Sequence, residues 1–111
     1  MPGDLTVPGT RDFCAFVEAY FADKEFTKDT RSKAGHIVYR IPDHPFNISV
    51  PKGYDRLKMG TFSGLLDDVG ISMMDFRMIA GTAKKLKQYR KKRKREILIK
   101  SSGVNGPDNE S

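Results

Sequence analysis

The chain has 111 residues, 38% of them hydrophobic, and a formal net charge of +6, which allows one small core and excludes a large enzyme cleft. No apolar run nears the length of a bilayer span and no basic-then-apolar leader opens the chain, so a soluble cytoplasmic protein without a membrane partner is expected. The charge is uneven: residues 84–95 hold nine basic and no acidic side chains, leaving 11 basic and 14 acidic, a net of −3, on the other 99 residues.

Residues 1–9, with Pro2, Gly3, Pro8 and Gly9 and no period, read as a loose arm before a domain over 10–80. Thr10 is the predicted cap of a first helix, with Asp12 in its first turn. Phe13, Phe16, Val17, Tyr20 and Phe21 recur at helical spacing over 11–23, which makes this helix the packing floor of the domain. Cys14 is the only cysteine, so it forms no intramolecular disulfide; lacking a Cys/His cluster, it reads as a small buried apolar residue, and no metal or other cofactor is expected. A short first strand fits residues 25–29. A basic turn with Arg31, Lys33 and Gly35 then leads into His36.

From His36, residues 37, 39 and 41 are apolar and alternate with His36, Val38 and Arg40, as in a half-buried strand. Pro42, Asp43, His44 and Pro45 form a turn that projects His44 toward solvent, and Phe46, Ile48 and Val50 alternate with Asn47 and Ser49 in a third strand. Hairpin pairing puts His36, Arg40, Asn47 and Ser49 on one polar face. A titratable group, a cation and two hydrogen bonders can hold and cut a phosphodiester; they are equally what a solvated sheet face carries. Lys52 follows the strand.

Thr61 is the predicted cap of a second helix, with Phe62, Leu65, Leu66 and Val69 on one face and Gly70 as its stop. Ser72 and Asp75 form a capping pattern for a third helix, predicted to continue through the basic stretch with a weak point at Gly81-Thr82. The basic helical extension is assigned to 81–100 and a disordered tail to 101–111. The order helix, three strands, helix, helix gives an α+β domain with helices on one face of an antiparallel sheet and the other face open.

Three stretches, Ala34-Gly35-His36-Ile37-Val38-Tyr39-Arg40, Asn47-Ile48-Ser49-Val50-Pro51 and residues 58–72 from Lys58-Met59-Gly60-Thr61 to Gly70-Ile71-Ser72, together resemble the HicA family of toxins. The resemblance covers about residues 9–80 and implies a double-stranded-RNA-binding-domain-like α-β-β-β-α fold, an mRNA-cleaving endoribonuclease and a HicB-like antitoxin as partner. It makes His36 the catalytic candidate, and a histidine's ordinary pKa, about 6.5, suits a general base or acid near neutrality. Lys33, Arg40 and Lys52 are the candidate cations for the developing phosphorane charge. Ala34-Gly35 stands where the family has Gly-Ser, and Gly53 or Tyr54 where many members have a second histidine.

The basic run offers a different class of function. Lys84, Lys85, Lys87, Arg90, Lys91, Lys92, Arg93, Lys94 and Arg95 would grip the phosphates of RNA or another nucleic acid with no cleavage at all. The same run could instead dock on an acidic partner or a membrane surface, serve as a nuclear address, or be a solvated tail. No feature of the sequence specifies an oligomeric state.

Overall fold

The computed structural model describes residues 7–31 and 35–101. Lys33 and Ala34 of the basic turn, residues 1–6 of the arm and residues 102–111 of the tail lie outside the described residues. The elements are α1 (Thr10–Tyr20), β1 (Thr27–Asp29), β2 (His36–Arg40), β3 (Ile48–Pro51), α2 (Met59–Val69), α3 (Met73–Ala80) and α4 (Ala83–Ser101). The architecture is α+β, with the order α-β-β-β-α followed by two further helices. Among the described residues no helix is long and apolar enough to cross a membrane, and no group of side chains could hold a metal ion.

The sheet runs β1-β2-β3, antiparallel throughout. Tyr39 lies opposite Lys28 on one side and Ile48 on the other, and Ile37 lies opposite Val50. Because side chains alternate along a strand, this register sends Tyr39, Ile48 and Val50 into the core, all fully buried. His36, Val38, Arg40, Ser49 and Pro51 take the other face. β1 and β3 are shorter than their apolar patterns predicted, because Glu25, Phe26, Phe46 and Asn47 find no ladder partner.

An aromatic cluster joins the helices. Phe16 meets Phe76 at 4.8 Å between ring centroids, Phe62 meets Phe76 at 5.1 Å and Phe13 meets Phe62 at 5.9 Å, all edge-on. These four rings tie α1, α2 and α3 together, and each buried phenylalanine contributes about 1.5–3 kcal/mol. Cys14 is free and buried, as expected of a lone cysteine outside any Cys/His cluster. Gly70 ends α2 with a left-handed φ of 94°, and Ser72 caps α3 by accepting from the Asp75 amide at 3.1 Å.

Four local expectations are corrected. Thr10 does not cap α1; Gly9 does, and the buried Thr10 hydroxyl instead donates to the Pro51 carbonyl at 2.6 Å and accepts from the Tyr54 amide at 3.0 Å. Thr61 is not a cap either: α2 begins at Met59 after an extended Lys58, so Thr61 is its third residue. His44 is half-buried rather than projecting, since its Nε2 donates to the Asp68 carbonyl at 2.6 Å and its ring stacks edge-on to Phe21. Finally, α3 does not run into the basic stretch. It stops at Ala80, and Thr82 starts α4 by accepting from the Lys85 amide at 3.2 Å. Gly81 is buried at the joint, where a Cβ would lie 2.6 Å from the Arg77 carbonyl oxygen. The break lets α4 pack against both α3 and α1.

Candidate active site and nucleic-acid interface

His36 opens β2 and is half-buried in a cavity of about 280 Å³ lined by Ser49, Pro51, Tyr54, Leu57, Lys58 and Thr61. The sheet supplies His36, Ser49 and Pro51 from one face, because His36 pairs with Pro51 and Val38 with Ser49. The opposite wall is the start of α2. Lys58 precedes the helix and Thr61 is in its first turn, so the cavity meets the end of the helix where backbone N–H groups lack intrahelical partners and the dipole is positive. An imidazole, hydroxyls, an ammonium group and a helix N-terminus therefore border one small space.

Arg40 and Lys52, two of the cations assigned from sequence, lie elsewhere. Arg40 is on the same face as His36 but four residues along the strand, about 13 Å away, and its guanidinium lies 3.9 Å from Asp29. Asp29 is held below the ordinary carboxylate pKa, first by the Arg31 backbone amide and then by the Arg31 and Arg40 charges. Lys52 is exposed, and its ammonium donates to the Thr30 carbonyl. Asn47 precedes β3 and is exposed. Lys58, Thr61 and Tyr54 were missed as site residues. Placing the helix start at Met59 would have revealed the first two, since whatever precedes a helix borders its anion-attracting end.

The basic run forms one helix with distinct faces. Leu86 is buried, Tyr89 packs on Phe16 at 5.9 Å between centroids, and Arg93 turns inward. The Arg93 Nε donates to the Ala19 carbonyl at 2.8 Å and Nη2 to the Tyr20 carbonyl at 3.3 Å, while Nη2 also meets Asp23 at 3.2 Å and Nη1 meets Glu96 at 2.9 Å. Arg93 thus closes the C-terminal end of α1, the end at which a cation is favoured. With α4 oriented in this way, Lys87, Arg90, Lys91 and Lys94 fall on one face and line a groove of about 1110 Å³ against α1, whereas Lys84, Lys85, Lys92 and Arg95 do not line it.

The groove floor holds Cys14, Glu18 and Lys28. Glu18 accepts from Lys28 at 2.8 Å and from the Tyr39 hydroxyl at 2.5 Å. Partial burial pushes the Glu18 carboxyl up, but those two hydrogen bonds and the charges of Lys28 and Arg90 outweigh it, so it sits below its ordinary value. Burial drives Tyr39 far above the ordinary phenol value, and the hydrogen bond to Glu18 adds to this. Burial also raises the Cys14 thiol despite its hydrogen bond with Tyr39, which disfavours the reactive thiolate.

No protein-family model, curated protein or solved structure matches the chain significantly. The chemistry of the chain's own residues therefore carries the functional reading.

Proposed function

We propose that this protein is a HicA-like endoribonuclease, an mRNA-cleaving toxin on a double-stranded-RNA-binding-domain-like fold that acts in the cytoplasm and is held in check by a HicB-like antitoxin. The observation that carries the reading is the convergence of His36, Lys58 and Thr61 on one cavity at the start of α2. In this reading His36 takes the proton from a ribose 2′-hydroxyl and the 2′ oxygen attacks phosphorus. The bond to the 5′ oxygen breaks, and that oxygen takes a proton from water. The products are a 2′,3′-cyclic phosphate and a 5′-hydroxyl. Lys58 and the first amides of α2 stabilise the added charge on the phosphorane, where preorganised donors count most. Arg40 and Lys52 serve as more distant phosphate contacts.

The test is RNA cleavage by wild type and His36→Ala at equal purity, with product ends identified. Loss of cleavage in a folded variant, with cyclic phosphate and 5′-hydroxyl ends from wild type, is the expected result. A fully active His36→Ala protein would sink the reading.

A second reading is favoured by the single cationic face of α4: nucleic-acid binding without cleavage, through Lys87, Arg90, Lys91 and Lys94, with Lys84, Lys85, Lys92 and Arg95 adding long-range attraction. It expects binding of both RNA and DNA that weakens steeply with salt and is lost when these lysines are replaced, and it is abandoned if wild type cuts RNA.

A further inference from the structure

The His36 cavity and the larger groove share a wall. Tyr54 lines both; Pro51 borders only the cavity, and Gly53 and Asp55 only the groove. The partition is thus a short stretch of chain, held from the groove side by Thr10, whose amide donates to the Tyr54 carbonyl at 2.8 Å and whose hydroxyl bonds Pro51 and Tyr54. Its crest is low. Gly53 has φ 82° with open space where a Cβ would stand, and Tyr54 is 43% exposed.

The groove has two kinds of surface. Lys87, Arg90, Lys91 and Lys94 form a basic wall, and Ala15, Ala22 and Ile37 give an apolar surface beneath it. A single nucleic-acid strand offers the same pair, phosphates on one edge and base faces on the other, whereas a duplex hides its base faces and would leave the apolar part uncovered. The groove also exceeds the roughly 300–1,000 Å³ typical of small-molecule sites.

We infer that the groove is a second RNA subsite: the strand cut beside His36 continues over Tyr54, which stacks on a base, and into the groove, where α4 holds its phosphates. This rests on the reading of the His36 cavity as the cutting site. The groove wall from Lys87 to Leu98 extends about 16 Å along the helix, room for roughly four to five stacked nucleotides at ~3.4 Å each. RNA is therefore held on one side of the scissile bond only, and cleavage efficiency depends on length on that side.

The test uses the full chain and RNA oligonucleotides sharing one mapped cleavage site, lengthened one nucleotide at a time on the 5′ or the 3′ side, with kcat/KM measured at moderate salt. The expected profile rises by about tenfold or more on one side, levels off after roughly four to five nucleotides and stays flat on the other. The triple substitution Lys87→Glu, Lys91→Glu, Lys94→Glu flattens the rising side. Tyr54→Ala lowers the rate on long substrates by roughly 5- to 150-fold, the scale of one lost base stack, and Tyr54→Phe restores it. Circular dichroism of each variant checks the fold. Cleavage with equal length dependence on both sides, or a rise that survives the triple substitution, overturns the inference, hands the basic wall to a different partner such as an acidic protein, and leaves His36 as the cutting residue. Failure of wild type to cut RNA of any length overturns the His36 reading and this inference with it.

Discussion

Replacing Arg93 separates one basic residue from eight that look the same in the sequence. Its side chain is 20% exposed, and its guanidinium donates to two carbonyls at the end of α1 and pairs with Asp23 and Glu96. Arg93→Ala removes all of these contacts. A hydrogen bond from a charged donor is worth about 1.5–3 kcal/mol when buried, but the carbonyls at a helix end regain water once the side chain is gone, and the cation at the helix terminus adds about 0.3–1 kcal/mol. A net loss of about 2–3 kcal/mol follows, or roughly 8–20 °C in melting temperature for a domain of this size. Arg93→Lys keeps the charge but loses the fork that reaches two carbonyls at once, and recovers about half. Lys92→Ala, at an exposed position that does not line the groove, changes stability by less than about 0.5 kcal/mol. Urea denaturation followed by circular dichroism measures all three, and hydrogen exchange at the end of α1 locates the loss. Equal stability of the Arg93→Ala and Lys92→Ala proteins would refute the assignment.

Three shorter predictions concern the core and its joints. Tyr39 is fully buried with its pKa raised, chiefly by burial, so its stabilising contribution is complete below about pH 10, where an unfolded tyrosine begins to ionise, and is lost as pH rises toward the folded value. Alkaline titration of stability should therefore steepen by up to about 1.4 kcal/mol per pH unit, a slope that Tyr39→Phe removes. Gly81→Ala should destabilise by about 1–3 kcal/mol, because its Cβ meets the Arg77 backbone at 2.6–2.8 Å; thermal melts that match wild type would contradict that clash. Thr10→Val keeps the shape but leaves the Pro51 carbonyl and the Tyr54 amide without the hydroxyl, at a cost of about 1–3 kcal/mol, read by denaturant midpoint.

The sheet was readable because strand residues alternate: Ile37, Tyr39, Ile48 and Val50 differ in kind from His36, Arg40 and Ser49, and that contrast alone fixes which face is buried. The phenylalanine spacing of α1 was readable for the same reason. What failed was every judgement in which a local hydrogen bond competed with a distant one. Thr10 has the chemistry of a cap, but its hydroxyl serves Pro51 and Tyr54, 41 and 44 residues away. His44 lies in a turn, yet Asp68 and Phe21 draw it inward. The candidate cavity's cation was not legible, because Lys58 gains its place from the start of α2, and the Arg93 guanidinium is taken up by the carbonyls at the end of α1. Charge alone could not distinguish the nine basic residues of the run. The positions of Leu86, Tyr89 and Arg93, three and four apart, do mark the inward face of α4, and a helical-period reading that includes the half-apolar tyrosine and the snorkelling arginine recovers it.

Glu18 and Asp55 are the acidic residues that line the groove, and for Glu18 the surroundings resolve the conflict with a bound polyanion. Its Oε2 receives both the Lys28 ammonium and the Tyr39 hydroxyl, so its charge is answered locally instead of facing outward alone. The depressed pKa favours the Glu18 carboxylate. The stability it contributes is present above the unfolded value of about 4.3 and is lost as pH falls through the lower folded value. With side chains 41% and 39% exposed, the ion pair itself adds no more than about 1 kcal/mol. Glu18→Gln keeps an acceptor for Tyr39 but leaves Lys28 unanswered, which makes the groove more positive by one charge. RNA should then bind more tightly at low salt, and the slope of log Kd against log salt should steepen by up to about 0.7, the single-strand value for one added phosphate contact. The variant should also lose the acid-dependent part of the wild-type stability profile. Identical salt slopes for the two proteins would mean that Lys28 and Glu18 do not face the bound strand, and that the anion path lies along α4 alone.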